Sequence, residues 1–144
     1  MRLSRALKEK NRLIGKIKEI QNMIAFHNSY IKGNKPIYDI ENLWELLNGT
    51  VSELTELKTR IQKANTVIRP KIYKLSELKS LAAFLKGLQI KEGKLLGDNW
   101  RNSEVTEWQS EIGNLERDRK VEAIEKKIDT LQNELDQFNF ETEI

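Results

Sequence analysis

The sequence predicts an all-α protein, an antiparallel helical bundle of coiled-coil character with three long helices and one shorter helix. Apolar residues recur at heptad spacing along most of the chain. Charged residues make up 33% of the sequence and hydrophobic residues only 38%, a balance typical of long, solvent-exposed helices. With 2 prolines and 7 glycines in 144 residues, the chain has too few turn signals for an all-β fold. At this length we expect a single helical domain over residues 1–144.

The first helix is predicted to run from about residue 3 to residue 31. Its apolar residues are spaced by 4, 7, 3, 7 and 7 positions, as at heptad a and d positions. They are Leu3, Leu7, Ile14, Ile17, Ile24 and Ile31, with Leu13 and Ile20 widening the stripe. The segment Lys32-Gly33-Asn34-Lys35-Pro36 should end the helix, because Gly and Asn accept left-handed conformations and proline disfavours a helical residue before it.

The second helix is predicted over residues 39 to 68, with Asp39 as its N-cap. Its apolar seam consists of Ile40, Trp44, Leu47, Val51, Leu54, Ile61 and Ile68, and is interrupted by Lys58 and Asn65. Gly49 should weaken or bend this helix without ending it, since the seam resumes in phase. The pair Arg69-Pro70 is expected to end it.

A third, shorter helix is predicted over residues 76 to 96, with Ser76 as N-cap and Leu78, Leu81, Leu85 and Leu88 at helical spacing. Residues 97 to 113 form the substantial loop region, which includes Trp100, and within it residues 104 to 112 are either helical or extended. The last helix is predicted over residues 114 to 137, and its heptad seam continues to Phe138.

Seam residues are the candidate interface. They are Trp44, Leu47, Leu54, Asn65, Ile128, Leu135, Phe138 and Asn139. A first helix of about 43 Å is too long for a small monomeric core to cover. We therefore expect a homo-oligomer, and another protein is a possible partner. Asn65 either fixes register by pairing with a polar group or lies at a frayed helix end.

Charge is distributed unevenly along the chain, with a net +7 in residues 1–35 and −6 in residues 101–144. This difference favours packing of the first helix against the last segment, within one chain or between chains. Alternatively, the first helix binds nucleic-acid phosphates through a basic patch. That patch comprises Arg2, Arg5, Lys8, Arg12, Lys16 and Lys18. The acidic last segment disfavours a nucleic-acid partner, and a heptad seam is more typical of burial against protein than of a membrane surface.

No catalytic, cofactor or metal site is predicted. The absence of cysteine excludes thiolate nucleophiles, cysteine-zinc sites and iron-sulfur clusters. His27, the single histidine, lies beside the apolar stripe and is interpreted as a packed or rim residue. The sequence contains no P-loop, G-x-G-x-x-G motif or nucleophile elbow. We expect a non-catalytic, cytoplasmic protein, since charges occupy the place of a signal peptide's apolar segment.

Five short patterns lie along the chain, and they are Leu3-x-x-Ala6-Leu7, Ile61-x-x-x-Asn65, Leu75-Ser76-Glu77, Ser103-Glu104-Val105 and Asn139-Phe140-x-x-Glu143-Ile144. Together they resemble a family of small, all-helical bacterial proteins of unknown function, some of which are labelled septicolysin. The resemblance spans most of the chain and implies a helical bundle that forms a homo-oligomer. The chain departs from the family pattern at Gln62, Ala64 and Ile68, and the family's charged pair falls on Ala82 and Ala83.

Overall fold

A computed structural model describes residues 1–97 and 104–144 and confirms the all-α fold class. The described elements are α1 (Leu3–His27), α2 (Ile40–Asn65), α3 (Arg69–Lys86), β1 (Gly93–Leu96), β2 (Val105–Trp108) and α4 (Asn114–Glu141). Three helices are long and α3 is shorter, as predicted. Within this fold the chain divides into two compact units. The first comprises residues 1–69 and 136–144, and the second comprises residues 70–135.

The first unit is built on an antiparallel pair formed by α1 and α2. Leu3 and Ala6, at the start of α1, are completely buried in a cluster that includes Ile61, near the end of α2. The other buried members of this cluster are Leu13, Leu54 and Leu57. Opposite ends of the two helices therefore meet, and their apolar contact stabilises the pair.

The buried face of α2 differs from the predicted seam. Its buried residues alternate at spacings of three and four, and they are Leu47, Thr50, Leu54, Leu57 and Ile61. The buried face passes through Leu57 and the half-buried Ala64. Contrary to the prediction, Lys58 and Asn65 therefore do not interrupt it. The buried Thr50 hydroxyl donates a hydrogen bond to the Leu46 carbonyl at 2.8 Å, which satisfies its polar group. In α1, the predicted seam residue Ile14 is likewise exposed.

The connection between α1 and α2 is longer than predicted. α1 ends at His27, four residues before Ile31. The Asn34 N–H donates to the Ile31 carbonyl at 3.0 Å, and Gly33 has φ of 96°, so Ile31 belongs to the turn. Asp39 is the N-cap of α2, as predicted, because its Oδ1 accepts the Asn42 N–H at 3.2 Å. α2 continues past Gly49 and ends at Asn65, three residues earlier than predicted.

The predicted boundaries of the third helix are wrong at both ends. Arg69-Pro70 begins α3, because proline has no N–H to lose in the first turn and its φ suits a helix start. Ser76 is therefore an interior residue of α3 and not its N-cap. α3 ends at Lys86, before Gly87. In the second unit, Ala82 and Leu85 of α3 pack with Val121 and Ile124 of α4.

A two-stranded antiparallel hairpin occupies part of the predicted helix and loop. β1 lies where the sequence predicts the end of the third helix, whereas β2 follows the extended alternative for residues 104–112. The register pairs Gly93 with Trp108 and Lys94 with Glu107. Gly93 has φ of 81°, a conformation that favours glycine. Trp100 and Ser103 lie outside the described residues.

α4 begins at Asn114, as predicted, and continues four residues beyond residue 137 to Glu141. Phe138 and Ile144 pack against the core of the first unit, which gives this extension a hydrophobic contact. The backbone then pairs with the start of the chain. The Leu3 N–H donates to the Thr142 carbonyl at 2.8 Å, and the Ile144 N–H donates to the Met1 carbonyl at 2.8 Å.

Candidate interaction surfaces

The predicted seam residues are mostly occupied within the chain. Leu47, Leu54 and Leu135 are buried, and Ile128 and Phe138 are half-buried against the cores of their units. Asn139 is also half-buried, whereas Trp44 keeps 53% of its surface exposed. The seam leucines therefore stabilise the helix pairs within each unit and do not offer an open surface for assembly.

Asn65 is half-buried at the last residue of α2. Its carbonyl accepts the Ile68 N–H at 3.2 Å, in the turn that precedes α3. Its side chain makes no hydrogen bond to another residue in the described part of the chain. This position favours a helix-end role for Asn65 over polar pairing in a seam.

Four of the six basic-patch residues form one partly neutralised stripe on α1, whereas Lys18 lies on another face of the helix. Arg5, Lys8, Arg12 and Lys16 are spaced by 3, 4 and 4 residues, which places them on one helix face. Arg12 makes two contacts to Glu9, with Nε to Oε2 at 2.9 Å and Nη2 to Oε1 at 2.6 Å. Within residues 1–97 and 104–144, the other three form no ion pair.

The pair between Glu9 and Arg12 alters the titration of both groups. The hydrogen bond from Arg12, with added attraction from Arg12, Arg5 and Lys16, holds the Glu9 pKa below its ordinary value of 4.5. Glu9 in turn raises the pKa of Arg12, first through that hydrogen bond and then through its charge. Glu9 therefore stays ionised at neutral pH and reduces the positive charge of the stripe.

Acidic residues of the last segment have partners outside α1. Glu125 pairs with Lys86 at 2.6 Å, and Glu134 pairs with Lys71 at 2.7 Å, so both belong to the antiparallel contact of α3 and α4. At the start of the chain, Glu143 lies 2.9 Å from the N-terminal amine and 3.9 Å from Arg2 Nε. The predicted attraction between the first helix and the last segment is therefore found where the two ends of the chain meet. Along its length, α1 packs against α2.

The end of α1 and the connection to α2 carry an apolar surface, of which only Ile31 belongs to a predicted seam. We define it as the loop-tip patch, made of Phe26, Tyr30, Ile31, Ile37 and Tyr38. All five side chains are exposed, Phe26 at 79% and Ile37 at 72%. The detectable sequence signal is the run of aromatic and β-branched residues on both sides of Gly33. Exposed apolar clusters of this kind often mark interaction sites.

A second exposed apolar surface lies on α3. We define it as the α3 outer stripe, made of Tyr73, Glu77, Ser80, Leu81 and Phe84. Tyr73 is 63% exposed and Phe84 is 62% exposed. Helical spacing places Tyr73 and Phe84 away from the buried residues of the same helix, which are Leu75, Ala82 and Leu85. α3 therefore exposes three large apolar side chains outside the face that packs within the second unit.

Few features of the described residues suggest chemistry. Among them, no group of three or more His, Asp or Glu side chains is placed to hold a metal ion. His27 is half-buried and packs edge-on against Tyr38, with ring centroids 4.8 Å apart. In the hairpin, every strand residue is exposed, and Lys91 Nζ lies 4.7 Å from the centroid of the Trp108 ring. No described helix has both the length and the apolar composition of a membrane span.

Comparison with known proteins adds no functional assignment. No family model matches the chain, and neither the curated proteins nor the solved structures contain a significant match. The resemblance to the septicolysin-labelled family therefore stays a prediction based on short sequence patterns.

Proposed function

We propose that this protein is a non-catalytic, self-associating helical module that functions by binding protein chains, first of all its own copies. The observation that carries the proposal is the separation of its apolar residues into two sets. Most seam leucines pack in the cores of the two units, whereas Leu81 and other large apolar side chains remain exposed, many of them in the loop-tip patch and the α3 outer stripe. Burial of such side chains against another chain removes apolar area from water and drives association.

The charges of the described residues support an apolar driving force. Ion pairs such as Lys71–Glu134, Lys86–Glu125 and Lys126–Glu122 are already formed within the chain, and their side chains are solvent-exposed. Exposed ion pairs contribute little to stability. Self-association should therefore persist when salt screens the charges.

Hydroxyl-radical footprinting at low and high protein concentration tests this function. Labelling of exposed aromatic side chains, among them Phe26, Tyr73 and Phe84, should fall at high concentration in at least one of the two surfaces. The exposed Trp44 lies outside both surfaces and serves as an internal control. Labelling that is independent of concentration throughout the chain would overturn the self-association proposal.

A second candidate function is binding of nucleic acid by the basic stripe of α1. It is favoured by Arg5, Lys8 and Lys16, which have no ion-pair partner in the described part of the chain. Three such cations on one helix face can neutralise phosphates and release counterions. The stripe itself contains no aromatic side chain for base stacking, so the expected binding is independent of nucleotide sequence.

Salt-dependent retention on immobilised nucleic acid tests the second function. Replacing Arg5, Lys8 and Lys16 together by Gln should reduce the slope of log affinity against log salt by about 3. Arg12→Gln is the matched control and should change the slope less, because Arg12 is already paired with Glu9. Equal, salt-independent retention of wild type and the triple variant would exclude this function.

A further inference from the structure

From the α3 outer stripe we infer that two copies of this chain pair through antiparallel α3 helices, related by a two-fold axis between Glu77 and Ser80. This inference rests on the proposed self-association and specifies the surface that carries it.

The spacing of residues along the α3 outer stripe suits pairing with a second copy. Tyr73, Glu77, Ser80 and Phe84 follow one another at intervals of 4, 3 and 4 residues, so they lie on one line along the helix. This spacing is the same when read in either direction. In an antiparallel pair of α3 helices, Tyr73 of each copy therefore meets Phe84 of the other, and Glu77 meets Ser80. A two-fold interface requires this kind of self-complementary surface.

The side chains at the paired positions are chemically complementary. At both ends of the stripe the contact joins two aromatic rings, and aromatic residues are enriched where interfaces contribute most binding energy. At the centre, the Ser80 hydroxyl is a donor and the Glu77 carboxylate is an acceptor. Symmetry gives two such hydrogen bonds. Glu77 forms no ion pair within the described residues, so its carboxylate is available for this contact.

The α3 outer stripe is open to solvent. Tyr73, Leu81 and Phe84 are all exposed, and Ser80 and Glu77 between them are exposed as well. The opposite side of α3 is already occupied, because Ala82 and Leu85 pack against α4. One helix can therefore contact α4 and a second copy of itself at the same time.

The affinity of the proposed α3 dimer is expected to be low. The contact consists of one short helix face from each copy, which is smaller than a standard interface of about 1,600 Å². Association should therefore be reversible and concentration-dependent. Replacing both Tyr73 and Phe84 by Ser removes the aromatic contacts at both ends and should weaken the dimer by at least about tenfold. Trp44→Ser, which removes an exposed aromatic residue from α2, should leave the dimer affinity unchanged.

Thiol cross-linking tests the geometry, because the chain contains no cysteine. In Ser80→Cys, the new thiols of two copies lie close to the two-fold axis, and a short bismaleimide should link them efficiently. Lys79→Cys is the control. Lys79 directly precedes Ser80 in the sequence, but the Lys79 side chain lines the groove beside Ala82 and Asp129, away from the stripe. The Lys79→Cys variant should give little cross-linked product at the same protein concentration.

The outcomes separate this inference from the function on which it rests. Cross-linking of Ser80→Cys, together with loss of the dimer in the Tyr73→Ser, Phe84→Ser variant, supports the α3 pairing. A wild-type oligomer that is unaffected by both substitutions and does not cross-link at Ser80→Cys overturns the pairing but preserves self-association. A monomer at every concentration overturns both. Circular dichroism of each variant verifies that its helices have formed.

Discussion

At the scale of residues, the core of the first unit depends on which of two neighbouring residues faces the helix pair. Leu57 is buried in the α1–α2 core, whereas Lys58, the next residue, is exposed. A heptad pattern that continues from Trp44 and Val51 assigns the buried position to Lys58. In the structure these positions of the seam are held by Thr50, Leu57 and Ala64, each one residue earlier than the heptad pattern predicts. The charged side chain of Lys58 therefore stays out of the interior.

Paired substitutions at these two positions test the register. Leu57→Ala should lower the free energy of unfolding by about 2–5 kcal/mol, because it removes buried methyl groups and leaves a cavity. Lys58→Ala should change it by less than about 0.5 kcal/mol, as is usual for exposed positions. Urea denaturation monitored by circular dichroism gives both values. A larger loss for Lys58→Ala than for Leu57→Ala would contradict the observed packing.

The ion pair between Glu9 and Arg12 affects how the Glu9 carboxyl group titrates. Removing the hydrogen-bond donor with Arg12→Gln should raise the Glu9 pKa toward its ordinary value of 4.5. Because the folded-state pKa is lowered, the pair stabilises the fold above the ordinary carboxyl pKa, and this contribution is lost as pH falls through the lowered pKa. NMR titration of the Glu9 carboxyl carbon measures the shift. An unchanged pKa in the variant would show that Arg12 is not its cause.

At the scale of elements, the α2 N-terminus depends on a single cap. Asp39 accepts the Asn42 N–H at 3.2 Å and satisfies a donor that has no partner inside the helix. Asp39→Ala should lower the free energy of unfolding by about 1 kcal/mol, whereas Asp39→Asn should preserve most of it, since Asn also caps helices. Chemical denaturation distinguishes the variants. Equal losses for Ala and Asn would indicate that the charge of Asp39, and not its hydrogen bond, stabilises α2.

Periodicity predicts the long helices better than it predicts the segments between them. α1, α2 and α4 are strongly periodic, and their starts agree with the sequence within one residue. Proline in the interior of a helix usually ends it, so the sequence predicts a helix end at Pro70. In the structure Pro70 lies in the first turn of α3, where its missing N–H costs nothing. The strands of the hairpin contain four residues each, too few for alternation to distinguish them from a helix end.

The exposed surfaces are less predictable than the helices for a physical reason. Helical spacing identifies which residues share a face, but it does not say which of two apolar faces is covered. In α3, both Leu85 and Phe84 fit an apolar face, and only the packing against α4 shows that Leu85 is buried while Phe84 is exposed. The loop-tip patch lies mostly in a turn, where apolar residues follow no helical period.

At the scale of the whole molecule, apolar surface area links the fold to the proposed function. Each unit buries its own cluster of seam residues and leaves aromatic side chains in contact with water. Their exposure to water is unfavourable in an isolated chain, and the proposed association would relieve it. The basic stripe on α1 offers a separate surface, whose binding would weaken with salt. The two modes of binding therefore differ in their response to ionic strength.

The mass in solution, measured by light scattering over a wide concentration range at low and high salt, is the most direct test of self-association. We expect the mass to rise with concentration toward at least twice the 16.9 kDa of the chain, and to do so at both salt concentrations. A mass of one chain at every concentration and both salts would contradict the proposed function. An oligomer that forms only at low salt would contradict the apolar origin of assembly and transfer its cause to the charged surfaces.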